Sequence, residues 1–393
     1  MRYIYIVSLS ENNKAGLFNS IHNRIKQFYL NDRKIEVFNI QFYDSLFLKY
    51  FKEIIGVNVE KSKLDFLHED IKYNTLSIRR GLLAVLADKL HLQYFSYLFY
   101  AIAVKKKFKK ADLISAQWGL TPGLLAYWLK KILNKKYVVT YHGSDIHTIP
   151  QKFKGWHRSL SLTLKNSDGN IFVSNNLYKQ ATEIGEINNP TVIYNGVDKS
   201  IFKKASFNEI NSRKKTHNLS GKVIGFVGSL VEIKNAEILP DIFLKIKNIL
   251  KIDCTFIIIG DGVLREKIED DLLKLNLKVV LTGNLPASQV SILMTCMDLL
   301  VLPSKNEGFG MVLFEALMCG SKCIGSRIGG ITELIGKENT VELDSDFIDS
   351  FSQLASNKLL NKQNKSEKNI NILSWEDVYD QEINFYNKIK LIK

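Results

Sequence analysis

Cysteine is scarce: the 393-residue chain has four, Cys254, Cys296, Cys319 and Cys323, all in its second half. They stand in apolar or helical contexts without the paired close spacing of a zinc site, and no histidine motif completes one, so reduced core thiols and no metal are expected. Long apolar runs are lacking too. The longest, Leu90 to Val104, contains His91 and Gln93 and falls short of the roughly 20 residues that span a bilayer. The opening Met1 to Leu9 is too short for a signal-peptide core and has no cleavage pattern, which leaves it a first strand. No Gly-x-Gly-x-x-Gly follows that strand, and this excludes the dinucleotide fingerprint. Acidic residues are few in the first half: residues 1–200 hold 16 Asp and Glu against 29 Lys and Arg, whereas 201–393 hold 24 against 25.

What is present has an ordinary globular balance, with 46% apolar and 24% charged residues, which excludes a disordered or fibrous chain. The length exceeds what one core supports, so two domains of about 150–200 residues are expected. The basic first half suits an anionic surface or substrate, with lipid, nucleic acid and a lysine-rich compositional habit as competing explanations. No recognised nucleic-acid signature accompanies the charge, so no specific nucleic-acid partner is expected.

Along the first half, strand-like runs at 3–9, 35–40, 112–117, 137–141, 169–173 and 191–194 alternate with helices starting near Gly16, Thr121 and Asn175. This is the rhythm of a parallel sheet covered on both faces. The segment 41–110 interrupts it with helices rich in Tyr, Phe and Leu. A polar, lysine-rich stretch from Lys199 to Ser220 reads as a linker. A second rhythm follows, with strands at 223–227, 255–259, 278–281 and 299–302 and helices over 235–250, 263–274 and 287–296. After the polar run Asn361–Asn369, Trp375–Leu391 reads as a last amphipathic helix.

The most informative stretch is Pro303 to Gly320: a buried strand, a loop with Glu307, Gly308, Phe309 and Gly310, then a helix carrying Glu315. Eight positions separate the two carboxylates, so both can face one crevice at different depths and hold two parts of an elongated ligand. Gly228 and Ser229 follow the first strand of the second half. Backbone amides there, with Lys234 near the next helix start, suit a diphosphate, although a plain turn with a solvated lysine has the same pattern. Gly260 and Asp261 form another glycine turn. In the first half, His142 follows a strand and can donate a hydrogen bond to a sugar hydroxyl or a carbonyl, while Asp145 can orient a neighbour or cap a turn. Gly16 opens the first helix and lets a phosphate approach its amides. The run Lys105, Lys106, Lys107, Phe108, Lys109, Lys110 follows the aromatic stretch Tyr94–Tyr100. It reads either as an interfacial anchor for anionic lipid or as a buried helix ending in a lysine-rich loop.

In order along the chain, Gly16, His142-Gly143, Val173-Ser174, Val192 to Asp198, Phe226 to Leu230 with Lys234, Ile258 to Gly262, and Pro303 through Glu307 to Glu315-Ala316 resemble the family 4 (group 1) glycosyltransferases. These are retaining, nucleotide-sugar-dependent enzymes of the GT-B fold. The resemblance implies an α/β chain of two doubly wound Rossmann-like domains facing an interdomain cleft. Residues 1–200 would bind the acceptor, 201–373 the nucleotide sugar, and 374–393 would cross back to the first domain. It assigns donor-sugar hydroxyls to Glu307 and His142, ribose to Glu315, diphosphate to Lys234 and Gly16, and acceptor or orienting roles to Asp145 and Asn195. Gly228, Ser229, Gly260, Asp261, Gly308, Phe309 and Gly310 complete the donor set. The implied activity is sugar transfer from a nucleoside-diphosphate sugar, a UDP-hexose or UDP-N-acetylhexosamine on family frequency. The acceptor is a hydroxyl of a glycan or lipid-linked saccharide of a bacterial capsule, O-antigen or other surface polysaccharide. No cofactor beyond that substrate and no metal is expected, and the expected location is cytoplasmic or peripheral on the inner face of the membrane. A phosphorylase, an epimerase-like enzyme and a degenerate glycan-binding partner subunit are the alternatives. Two positions depart from the family: Ser229 where arginine is usual, so Lys234 would carry more of the diphosphate charge, and Asn235 where glycine is usual.

Overall fold

The computed structural model describes residues 1–10, 16–31, 33–44, 65–81, 86–87, 90, 92–148, 154–360 and 372–391. Two compact units result, Met1–Asn195 with Trp375–Lys393, and Gly196–Ser374. The polar run at 361–369 and loop positions 11–15 lie outside the described residues.

The first unit contains β1 (Arg2–Val7), α1 (Leu17–Leu30), β2 (Lys34–Asp44), β3 (Phe66–His68), β4 (Ile71–Arg80), α2 (Gln93–Val104), β5 (Leu113–Gln117), α3 (Thr121–Leu133), β6 (Tyr137–Tyr141), α4 (Ser144–His147), α5 (Lys154–Asn166), β7 (Gly169–Phe172), α6 (Asn175–Thr182) and β8 (Pro190–Val192). Its eight strands pair in the order β3-β4-β2-β1-β5-β6-β7-β8. All pairings are parallel except β3 with β4. Central strands read as continuous apolar runs because both faces are covered: Ile4, Tyr5, Ile6 and Val7 are fully buried.

The second unit opens with α7 (Phe207–Thr216) and continues through β9 (Lys222–Val227), α8 (Leu239–Leu250), β10 (Cys254–Ile259), α9 (Arg265–Lys274), β11 (Val279–Gly283), α10 (Ala287–Cys296), β12 (Leu299–Leu302), α11 (Met311–Cys319), β13 (Lys322–Ser326), α12 (Gly329–Ile335), β14 (Thr340–Val341) and α13 (Phe347–Leu360). Its six parallel strands run β11-β10-β9-β12-β13-β14. Each unit is thus a Rossmann-like α/β sheet. In each, strand order reverses once at the centre, beside β1 and β5 in the first and beside β9 and β12 in the second. The carboxyl ends flanking such a switch point are where open α/β sheets bind ligands. All four cysteines are buried free thiols.

Two sequence expectations are corrected. Within 41–110 the chain is not purely helical, because β2 continues to Asp44 and β3 and β4 form a hairpin whose two turn residues, Glu69 and Asp70, both have positive φ, the backbone that a tight hairpin demands. The buried set of β4 is Ile71, Tyr73, Leu76 and Ile78, so the alternation slips by one residue at Asn74-Thr75 and hides the strand period. The stretch 199–220 is no plain linker either. It carries α7, started by a reciprocal capping box between Ser206 and Glu209. Arg213 donates to Thr295 Oγ1 at 2.8 Å and Lys214 pairs with Asp298 at 3.2 Å, which anchors this polar helix in the second unit.

The final helix α14 (Trp375–Leu391) belongs to the first unit. Its Tyr386 packs against Phe28 and Tyr3, and its fully buried Glu382 pairs with equally buried Arg24 of α1. The same guanidinium donates to Ile193 O at 2.9 Å and to Asn195 Oδ1 at 3.0 Å. One side chain therefore ties α1, the segment after β8 and α14 together.

Candidate active site

In the second unit the site is assembled on the turns that leave β9, β10 and β12. Gly228 and Gly260 sit at φ +154° and +138°. The two turns are backbone to backbone: Gly228 N donates to Ile259 O at 2.9 Å and Leu230 N to Asp261 O at 2.9 Å. A Cβ on Gly260 would lie 2.0 Å from Gly228 O, a clash with main chain that no rotamer relieves. Gly260→Ala is therefore expected to cost more than about 2 kcal/mol and to displace the Gly228 turn; denaturant unfolding of the variant measures it. Asp261 is spent locally, accepting from Gly262 N at 2.8 Å and facing Arg265 at 3.5 Å.

Beyond the exposed Ser229, a short 3-10 turn, Glu232–Lys234, ends on Asn235 at φ +54°. This accounts for one departure from the family: the position needs left-handed backbone, which asparagine tolerates next best to glycine. Lys305 N and Ile233 O, 2.9 Å apart, tie this turn to the loop after β12. The tie brings the Lys234 ammonium onto Glu307 Oε2, forming a partly buried ion pair. Neighbouring Lys305 is held by Glu237 at 2.8 Å and Glu232 at 3.6 Å. Gly308 and Phe309 follow Glu307. Phe309 is buried edge-on against Phe314 at 4.9 Å, and Gly310, at φ +85°, turns the chain into α11. Glu315 lies in the second turn of α11, partly buried. Burial alone pushes its carboxyl up to about 7, with no counter-charge holding it down.

In the first unit a second cluster occupies the ends of β5 and β6. His142 Nε2 donates to Gln117 Oε1 at 3.1 Å, and Gln117 Nε2 donates in turn to Ser115 Oγ at 3.0 Å. The ring's Nδ1 is buried and has no hydrogen-bond partner among the described residues. Desolvation, with the charge of Arg24, holds the imidazole well below its ordinary value, hence neutral. The free nitrogen is then an acceptor, so toward a hydroxyl His142 accepts where the sequence led us to expect a donor. Fully buried Asp145 accepts from the backbone of Gly119 (2.8 Å), His142 (3.2 Å) and Gly143 (2.9 Å), clamping the two loops together. Its carboxyl is raised to about 6, burial outweighing those bonds. Gly16 caps α1 at φ +51°, and no atom of the described residues beyond its chain neighbours lies within 4 Å of where its Cβ would be. Asn195 points into the buried Arg24 network and also accepts from Ser20 Oγ at 2.9 Å.

Gln117 and Trp118 were not singled out from the sequence. Trp118 has φ +113°, an outlier for a bulky residue and a mark of stored strain at the strand end, and its buried indole N–H has no partner among the described residues. The only advance signal was a polar, then aromatic, residue closing a buried strand. A third grouping, His22, His68 and Glu69, has ligand atoms within 4.8 Å of one another and could hold a metal ion. Lys26 already neutralises Glu69 at 2.6 Å, and His22 Nδ1 is bonded to Tyr73 OH at 2.8 Å, so the cluster is satisfied as it stands.

Comparison with known proteins places these features. The model of the family described as glycosyl transferases group 1 matches residues 207–371, and that of glycosyltransferase family 4 matches residues 66–200. An uncharacterised glycosyltransferase of Methanocaldococcus jannaschii is 31% identical over 298 residues, 73% of this chain and 79% of that protein. The N-acetyl-alpha-D-glucosaminyl L-malate synthase of Bacillus anthracis is 27% identical over 266 residues, 63% of this chain and 66% of the relative. Among solved structures, Anabaena HepE in complex with UDP superposes with a TM-score of 0.70 at 18% identity, over 99% of this chain and 100% of that one. Sucrose-phosphate synthase from Thermosynechococcus elongatus gives 0.71 at 17% identity, over 99% of both. At such identities the structures speak for the fold, which is GT-B.

Proposed function

Since this chain belongs to the group 1 (family 4) glycosyltransferases, and is therefore a nucleotide-sugar-dependent transferase, we propose that it moves a hexose or N-acetylhexosamine from a UDP-sugar to a hydroxyl of a glycan or lipid-linked saccharide, with retention at the anomeric carbon. The observation that carries this reading is the Lys234–Glu307 pair, held where the turns after β9 and β12 are tied together. Without donor, each charge neutralises the other. A donor diphosphate would take over the ammonium and the sugar hydroxyls the carboxylate, so both groups exchange one partner for another and neither charge is stranded. The leaving group is a nucleoside diphosphate, and the charge that develops on it would be stabilised by Lys234 and the amides of the Gly228 turn, with no metal required. His142, neutral and with Nδ1 open, would accept from a sugar hydroxyl; Asp145 and Gln117 hold it in place. The leaving phosphate would take the acceptor's proton, since the departing and attacking groups share one face in a retaining transfer without a covalent enzyme intermediate. The UDP complex of HepE supports a UDP-sugar, and the names of the Bacillus anthracis malate-glycoside synthase and of a putative teichuronic acid biosynthesis glycosyltransferase of Bacillus subtilis, 27% identical over 242 residues, support a small-molecule or surface glycoconjugate. A thermal-shift screen of UDP-, GDP- and ADP-sugars tests the donor: stabilisation by UDP-sugars is expected, and selective stabilisation by GDP-sugars would overturn it.

Glu315 gives this reading a pH signature. Its carboxyl is neutral below about 7 in the free protein, and a pair of ribose hydroxyls is held better by a carboxylate than by a carboxylic acid. Nucleotide binding should then expel a proton from Glu315, so affinity for UDP should climb as pH rises from 6 to 8. For stability the sign is opposite: a raised carboxyl binds protons in the folded state that it has lost in the unfolded one, so unliganded protein should lose stability as pH rises from about 4.5 toward 7. Glu315→Gln should flatten both dependences, as followed by calorimetry and by denaturant melts.

A further inference from the structure

The helix α2 carries large apolar side chains on its exposed face as well as on its buried one. It buries Gln93 and Ser96 along with Tyr97, Tyr100, Ala101 and Val104, while Leu92, Phe95, Phe99 and Ile102 are 39%, 50%, 68% and 45% exposed. Their spacing of three, four and three residues sets them on one stripe of the helix. Leu86 and Leu90, just ahead of the helix, are exposed as well. The next turn along the same chain carries Lys105, Lys106 and Lys107, then Lys109 and Lys110, around a fully buried Phe108. Among the described residues none of these five lysines makes an ion pair. Four of them, with Arg2, line a pocket of about 450 Å³. The two carboxylates in its wall are already engaged, Glu36 by Arg2 and Asp65 by Lys72 at 3.0 Å, so the pocket has cationic groups left over.

We propose that this face of the first unit docks on an anionic lipid bilayer: the stripe Leu92, Phe95, Phe99 and Ile102 enters the interface, and Lys106, Lys107, Lys109 and Lys110 receive the phosphate groups of the lipids. An interfacial helix needs both an apolar face and cations at headgroup level, and both occur here in one continuous segment. A second copy of the chain is the other natural cover for an exposed apolar stripe. A two-fold contact through α2 would cover the stripe but leave the lysines of both copies unanswered, whereas an anionic surface satisfies stripe and lysines together. The inference stands independently of the donor and acceptor, and of whether transfer is observed.

The test is co-sedimentation of the full chain with vesicles of phosphatidylcholine alone and of phosphatidylcholine mixed with phosphatidylglycerol. Binding to the mixed vesicles, at least about tenfold weaker to the neutral ones and weakened by salt, is expected. Quadruple replacement of Lys106, Lys107, Lys109 and Lys110 by Gln, and separately Phe95→Ser with Phe99→Ser, should each lower the partition about tenfold or more while circular dichroism stays unchanged. Equal binding to both vesicle types, absence of binding, or unaltered binding by both folded variants would overturn the proposal. So would a concentration-dependent dimer, seen by sedimentation, that Phe95→Ser with Phe99→Ser abolishes.

Discussion

Replacing Lys234 by alanine is expected to lower transfer about 10²- to 10³-fold in kcat, the usual cost of one preorganised group aimed at developing negative charge. Two features make the loss large here. Ser229 leaves the Gly228 turn without the guanidinium that the family usually supplies, and the neighbouring Arg265 and Lys305 are engaged with acidic partners of their own. On the proposed reading the diphosphate charge would therefore rest on Lys234. The variant also strands Glu307, whose carboxylate lost its cation and would repel the incoming phosphates, so donor affinity should fall as well. Lys234→Arg keeps the charge, and its recovery of part of the activity separates a charge role from a packing role. Steady-state kinetics with the donor varied up to saturation reads both effects, and near-normal turnover of a folded Lys234→Ala protein would remove the residue from the mechanism.

The largest effect on stability is expected from Glu382→Ala. The pair Glu382–Arg24 is fully buried, and removal of one partner leaves the other charge uncompensated in the interior at a cost of about 3–5 kcal/mol. Arg24 would keep its bonds to Ile193 O and Asn195 Oδ1, which places the expected loss at the lower end of that range. Because the pair joins α14 to α1, the loss should show as earlier exposure of α14 in hydrogen exchange as well as a lower denaturant midpoint. Glu382→Gln, which retains an oxygen for the guanidinium but drops the charge, should lose less. A midpoint unchanged by Glu382→Ala would mean that the interior around Arg24 is wetter than its burial indicates.

Much of the second unit was legible because its strands are covered on both faces and read as unbroken apolar runs: 299–302 and the helix 287–296 coincide with β12 and α10. The hairpin of β3 and β4 was not, since its buried residues change phase midway and its turn uses Glu69 and Asp70 in place of glycine or asparagine. The helix α7 escaped notice for a different reason. It has no buried residue at all, so no apolar period announces it, and its capping box and two charged contacts hold it instead. In the candidate site, residue types at strand ends pointed to Glu307, Glu315, Lys234 and His142, but pairings did not follow from spacing. That Lys234 meets Glu307 depends on a backbone bond between residues 233 and 305, and that His142 offers an acceptor depends on Gln117, 25 positions earlier. Asn235 stands where the family usually has glycine, and its left-handed backbone shows that the turn keeps the same conformation.

The most direct test of the account is proton NMR of a reaction holding the purified chain, a UDP-hexose or UDP-N-acetylhexosamine and a panel of hydroxyl acceptors. The account predicts release of UDP matched one for one by a new glycoside whose anomeric proton keeps the configuration of the donor. An inverted anomeric signal, or a sugar phosphate appearing in place of free UDP, would contradict it.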